Sequence, residues 1–117
     1  MLPHIQFERE NCSFTDTLSR DGKGALVKSN VGLIWSGFRP SDDACVYGYL
    51  IPSNMLASVI LGNIAEIARE IYHDEKLAEE ADAFSKEVRS AIETLAILPA
   101  QKTEYYAYEV DGFGQYL

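Results

Sequence analysis

The sequence predicts an all-α chain built on one antiparallel helical hairpin, with loops ahead of it and a short β-leaning tail behind it. Three observations carry this. Apolar side chains recur at spacings of three and four across residues 53–98, the period of helices with one buried face. The pattern breaks once, at Tyr72-His73, and two helices joined by so short a link pack antiparallel. Prolines bracket the segment, with Pro52 just before it and Pro99 ending it.

The elements follow in order. Residues 1–50 are mixed, with turn signals at Arg20-Asp21-Gly22-Lys23-Gly24, Ser36-Gly37 and Arg39-Pro40-Ser41. The first helix is expected to start at Ser53, whose hydroxyl can accept from the orphaned amides of the first turn. Leu56, Ile60, Ile64, Ile67 and Ile71 mark its expected buried face. Gly62 lies inside it, costs up to about 1 kcal/mol relative to alanine, and is expected to allow a close helix crossing. Asp74 is the expected N-cap of the second helix. Leu77, Ala81, Phe84, Val88, Ala91, Ile92 and Leu95 form its apolar face, with Glu79, Glu80, Asp82, Lys86, Glu87, Arg89 and Glu93 opposite. The segment 103–117 is rich in aromatics and then in glycine, which favours a strand followed by a turn. Aromatic side chains this close to the last residue suggest that the chain stops within a larger fold.

Composition narrows the partners. The 117 residues are 47% hydrophobic and 24% charged, which suits one globular domain and excludes a disordered chain. Ten Lys and Arg against 18 Asp and Glu give a net charge of −8, and no basic cluster stands out. Neither nucleic acid nor an anionic membrane surface is an expected partner. Cys12 and Cys45, with His4 and His73, show no metal-ligand spacing, so no metal and no cofactor are expected. Asn11-Cys12-Ser13 fits a glycosylation sequon formally, but no signal peptide precedes it. The first ten residues are charged and lack an apolar core, and the apolar stretches read as helical faces short of the ~18 residues that span a bilayer. A cytoplasmic location is expected.

The segment suited to chemistry is Trp35-Ser36-Gly37-Phe38-Arg39-Pro40-Ser41-Asp42-Asp43-Ala44-Cys45, leading into Tyr47-Gly48-Tyr49-Leu50-Ile51-Pro52-Ser53-Asn54-Met55. Aromatic rings stack on sugar faces, and carboxylates and a guanidinium hydrogen-bond to hydroxyls. A carboxyl in an apolar, like-charged site can be raised enough to donate a proton. The plainer alternative has Ser41, Asp42 and Asp43 capping a helix, Arg39 in a surface ion pair and Trp35 in the core.

The run from Trp35 to Met55 resembles the signature of glycoside hydrolase family 125, the metal-independent exo-α-1,6-mannosidases. Asp16-Thr17-Leu18 with Gly22-Lys23-Gly24, Gly32-Leu33-Ile34-Trp35, and Tyr106-Ala107-Tyr108-Glu109-Val110-Asp111-Gly112-Phe113-Gly114 resemble further family blocks, so the likeness is collinear over nearly the whole chain. Family members are several times longer. The resemblance implies an (α/α)6 toroid of paired helices, of which the loop 32–52, the hairpin 53–98 and the cleft segment 103–117 would be one part. It implies hydrolysis of terminal α-1,6-linked mannose from a glycan, with inversion and without a metal.

An inverting enzyme uses a general acid and a general base about 6.5–9.5 Å apart. The resemblance places the acid in the Asp42-Asp43 pair. Analogy with other helical-toroid glycosidases, whose acid follows a Ser-Gly motif, favours Asp42, and Asp43 stays open. Arg39 and Trp35 would bind the sugar, and Glu109 and Asp111 would line the same cleft. The alternative for Glu109 and Asp111 is a turn with solvated carboxylates. No residue here matches the general base, so the isolated chain is expected to be inactive and to self-associate through exposed hairpin faces. Two other readings remain: a short relative that assembles its site between chains, and a non-catalytic interaction or sugar-binding hairpin. The loop 36–43 speaks against the last, because a bare hairpin has no need of it.

Overall fold

The computed structural model describes residues 18–99 and 104–117. His4, the Asn11-Cys12-Ser13 sequon, Asp16, Thr17 and the first residue of the segment 103–117 lie outside the described residues. Six elements follow in order: β1 (Tyr49–Leu50), α1 (Ile51–Glu70), α2 (Glu75–Leu95), β2 (Ile97–Pro99), β3 (Glu104–Tyr106) and β4 (Glu109–Val110). The all-α reading holds in that the two helices are the long elements among the described residues, and the strands are two or three residues long.

The hairpin has slightly different ends from those expected. Strand β1 runs straight into α1, so the helix starts at Ile51 rather than at Ser53. Leu50 occupies the cap position without a side-chain cap, and Pro52 sits in the first turn, where its missing N–H is not needed. Asp74 caps α2 as expected, its Oδ1 accepting from the Leu77 amide at 3.1 Å. Helix α2 ends at Leu95, short of Pro99. A residue before proline favours extended backbone, and Leu98 accordingly lies in β2.

Helix α2 buries Ala78, Ala81, Phe84, Val88, Ala91 and Ile92, close to its expected face, while Leu77 is exposed. Helix α1 does the opposite of what was expected. Its stripe of large residues faces outward, from Leu56 at 60% exposure to Ile71 at 66%, with Ile60, Ile64 and Ile67 between them. The buried positions are Ile51, Asn54, Ala65 and Ala68. Small residues on this face let the two helices approach closely. Ser58 and Ser85 then bridge the crossing reciprocally: Ser85 Oγ donates to the Ser58 carbonyl at 2.6 Å, and Ser58 Oγ donates to the Ser85 carbonyl at 3.1 Å.

Helix α1 is thus apolar on both sides. By length and composition alone it is long and apolar enough to cross a membrane, which corrects the expectation that no stretch here reaches that length. A helix apolar all round is equally the mark of one enclosed within a larger protein.

The chain beyond α2 folds back along the hairpin. Strand β3 pairs antiparallel with β2, setting Ile97 opposite Tyr106, and β4 pairs antiparallel with β1, setting Leu50 opposite Glu109. The Ile51 amide donates to the Tyr108 carbonyl at 2.9 Å, which fixes the first turn of α1 to the tail. Tyr49, Ile51, Phe84, Val88, Ala107 and Val110 meet in the core between hairpin and tail. Asn54 ties the preceding loop to α1. Its Oδ1 accepts from the Ile34 amide at 2.8 Å, and its Nδ2 donates to the carbonyls of Ile34 and Leu50 at 3.0 and 2.8 Å.

Gly62 does not mark the close crossing. A Cβ there would meet its nearest neighbour, Ser85 Oγ, at 3.6 Å, an ordinary contact. Gly62→Ala should therefore stabilise the chain by about 0.5–1 kcal/mol through helix propensity. Urea unfolding of the two proteins measures this, and a destabilised variant would show that the crossing does need glycine.

Candidate active site

The loop that carries Asp42 and Asp43 is a tight hairpin. Phe38 bridges Ala44, the Cys45 amide donates to the Gly37 carbonyl at 2.9 Å, and the Arg39 amide donates to the Asp43 carbonyl at 2.8 Å. The Asp42 amide closes the tip onto the Arg39 carbonyl at 2.9 Å. Asp42 takes a left-handed backbone, φ +67°, a region where aspartate is enriched. Ser41 Oγ donates to Asp43 Oδ2 at 2.7 Å. Residues 41–43 do not begin a helix, which removes the capping alternative. Both aspartates are exposed at the tip rather than held in an apolar site.

Arg39 and Glu109, 70 residues apart in sequence, are brought together. Arg39 Nε donates to Glu109 Oε1 at 2.8 Å. Glu109 Oε2 accepts from the amides of Val46 at 3.0 Å and Tyr47 at 3.2 Å. The Glu109 side chain is 0% exposed and that of Arg39 is 21% exposed. The Arg39 guanidinium lies over the Tyr108 ring, 5.1 Å from its centre. Burial on its own would raise the Glu109 carboxyl, but the hydrogen bonds from Arg39 and from the two amides outweigh it and hold the group below its ordinary range. The hydrogen bond to Glu109 in turn raises Arg39. Burial pushes the neighbouring Cys45 thiol up to about 11, and the Glu109 charge acts in the same direction.

Trp35 packs rather than projects. Its ring lies against Gly24, Gly37 and Gly48, and a Cβ on Gly48 would stand 2.6 Å from it. Its Nε1 donates to the Ala25 carbonyl at 3.2 Å. These are the contacts of the core-packing alternative. Asp111 is buried and organises the turn at Gly112: its Oδ1 accepts from the amides of Phe113 at 2.7 Å and Gln115 at 3.1 Å. It also borders an open cleft of about 410 Å³ together with Arg20, Tyr47 and Phe113. Arg39, Asp42 and Asp43 thus share one hairpin whose two limbs are bonded to Glu109, while Trp35 and Asp111 lie outside that hairpin.

Tyr108 and the amides of Val46 and Tyr47 belong to this arrangement and were not singled out from the sequence. Backbone amides leave no trace in residue types, and Tyr108 is one tyrosine among seven.

A family model described as metal-independent alpha-mannosidase (GH125) matches residues 3–117. The meiotically up-regulated gene 157 protein of Schizosaccharomyces pombe is 37% identical over 116 residues, which is 98% of this chain and 23% of that protein. A Streptococcus pneumoniae structure, described as a metal-independent alpha mannosidase in a non-productive complex with α-1,6-mannobiose, superposes with a TM-score of 0.79 at 38% identity. That match covers 93% of this chain and 26% of the other. The chain spans about a quarter of the length of these relatives. Its hairpin takes its place as one helical pair of an (α/α)6 toroid.

The lowered Glu109 carboxyl has a sign that can be checked. Its folded value lies below the ordinary 4.5, so its contribution to stability is present above that pH and is lost as pH falls through the lower folded value. Urea unfolding of the chain and of Glu109→Gln at neutral pH and at progressively acid pH should show the stability gap narrowing below about 4.5. A gap independent of pH would contradict the ionised, paired state.

Proposed function

The chain belongs to the GH125 family of metal-independent α-mannosidases, and from that premise we propose that it is the acid-bearing part of an inverting exo-α-1,6-mannosidase. The observation that carries this reading is the superposition, at 38% identity over 93% of the chain, on a mannosidase structure described as a complex with α-1,6-mannobiose. The substrate is a glycan with a terminal α-1,6-linked mannose.

In this reading a carboxyl at the hairpin tip, Asp42 in preference to Asp43, protonates the glycosidic oxygen as the bond to the anomeric carbon breaks. A base from elsewhere in the toroid activates water on the opposite face of the ring. The exposure of both aspartates on a short, hydrogen-bonded hairpin supports this role, since a glycan can reach them. Arg39 donates to sugar hydroxyls through its terminal amino groups. These 117 residues hold no counterpart of the base, and on its own the chain does not turn over. The outward apolar stripe of α1 supports self-association of the isolated chain with a second copy, because that face needs cover.

Hydrolysis of α-1,6-mannobiose tests the proposal. The purified 117-residue chain should show no turnover, and light scattering should show it larger than a monomer until diluted. The natural protein that carries these residues should release mannose with inverted configuration. In that protein Asp42→Asn should lower kcat by about 10²–10⁴-fold, the usual contribution of a general acid, and Asp43→Asn by much less. Turnover by the isolated chain would refute its inactivity. Full activity after both substitutions would refute the acid assignment.

A further inference from the structure

Glu109 is the most deeply buried charged group among the described residues, with no exposed surface. A sugar cannot touch it where it stands, so the cleft-lining role that the family resemblance implies does not fit its position. Its contacts define another role. Of its three donors, Arg39 lies just before the Asp42-Asp43 tip, and Val46 and Tyr47 lie just after it. One carboxylate therefore holds both limbs of the hairpin that presents the candidate acid.

The contact with Arg39 is also unusual for an ion pair that serves stability alone. Such pairs commonly use the guanidinium as a fork, with two parallel hydrogen bonds to one carboxylate. Here only Nε is engaged, because Glu109 Oε2 is occupied by the two amides. Tyr108 stacks against the guanidinium. The two terminal amino groups of Arg39 have no hydrogen-bond partner among the described residues, and the side chain keeps 21% of its surface open. Arg39 is thus fixed at its inner nitrogen and by its ring contact, with its outer donors unused by the described residues.

We infer that Glu109 is a positioning residue: it aims the terminal amino groups of Arg39 at neighbouring hydroxyls of the terminal sugar and sets the pitch of the Asp42-Asp43 hairpin, without touching substrate itself. This rests on the mannosidase reading and deepens it. Glutamine at position 109 keeps the shape but sets its amide donor against either Arg39 Nε or the amides of Val46 and Tyr47, so it cannot satisfy all three contacts.

The test is kinetics on α-1,6-mannobiose in the natural protein that carries these residues. Glu109→Gln, Arg39→Met and the double variant are compared, with thermal unfolding to confirm that each is folded. Misplacement of a catalytic group by about 1 Å can cost on the order of 10²-fold. Glu109→Gln should lose activity on that scale, and the double variant should lose clearly less than the product of the two single losses, because the two residues share the contact that aims Arg39. Losses that multiply, or Glu109→Gln with wild-type activity, would overturn the inference.

A second measurement keeps the test open should Glu109→Gln not fold. Millimolar guanidinium added to Arg39→Ala, which retains Glu109, should restore part of kcat, since the carboxylate would seat the free cation. No rescue would overturn the inference. A wild-type protein inactive on α-1,6-mannobiose would instead remove the mannosidase reading itself, and the inference with it. An active wild type with an indifferent Glu109→Gln would remove the inference alone.

Discussion

A carboxylate with no exposed surface must be surrounded by donors, and Glu109 draws its donors from residues 39, 46 and 47, in the loop ahead of α1. That requirement links the tail to the loop ahead of α1. Because Glu109 sits in β4 opposite Leu50, the same contact fixes the strand pair at the start of the first helix. Removing Arg39 would leave the Glu109 carboxylate buried without its charged partner, a state that destabilises the fold. The geometry of the candidate acid loop therefore depends on a residue that lies outside it.

The two faces of α1 express a second constraint. The inward face is small, with Ala65, Ala68 and the Ser58–Ser85 bridge setting a close crossing with α2. The outward face is large and apolar and has no partner among the described residues. Helix α2, in contrast, carries charge on its outer side, as in the pairs Lys86–Asp82 and Arg89–Glu93. In a toroid of paired helices such a difference suits one helix with neighbours on both sides and one with solvent on its outer side. The family's greater length agrees with a first helix that needs further cover.

Much of this was legible in the sequence, and the physical reason differs from residue to residue. Helix α2 could be read correctly because its polar and apolar faces differ. The inward side of α1 could not, since periodicity selects the greasiest stripe and both sides of α1 are apolar. Asp74 was legible as a cap because its bond to Leu77 is local. Ser53 misled because β1 carries the chain into the helix ahead of it. The Asp111-Gly112 turn was visible in the dipeptide itself. The pairing of Arg39 with Glu109 was not, because no local pattern encodes a contact across 70 residues. Strands of two or three residues leave no periodicity, and their pairing is set by long-range contacts.

The most direct test of the account is a crystal structure of the natural protein with α-1,6-mannobiose bound. The account predicts the glycosidic oxygen within hydrogen-bond reach of Asp42 or Asp43, sugar hydroxyls on the terminal amino groups of Arg39, and Glu109 beneath them bonded to Arg39 Nε but not to the sugar. A disaccharide bound away from this hairpin, or one held directly by Glu109, would contradict it.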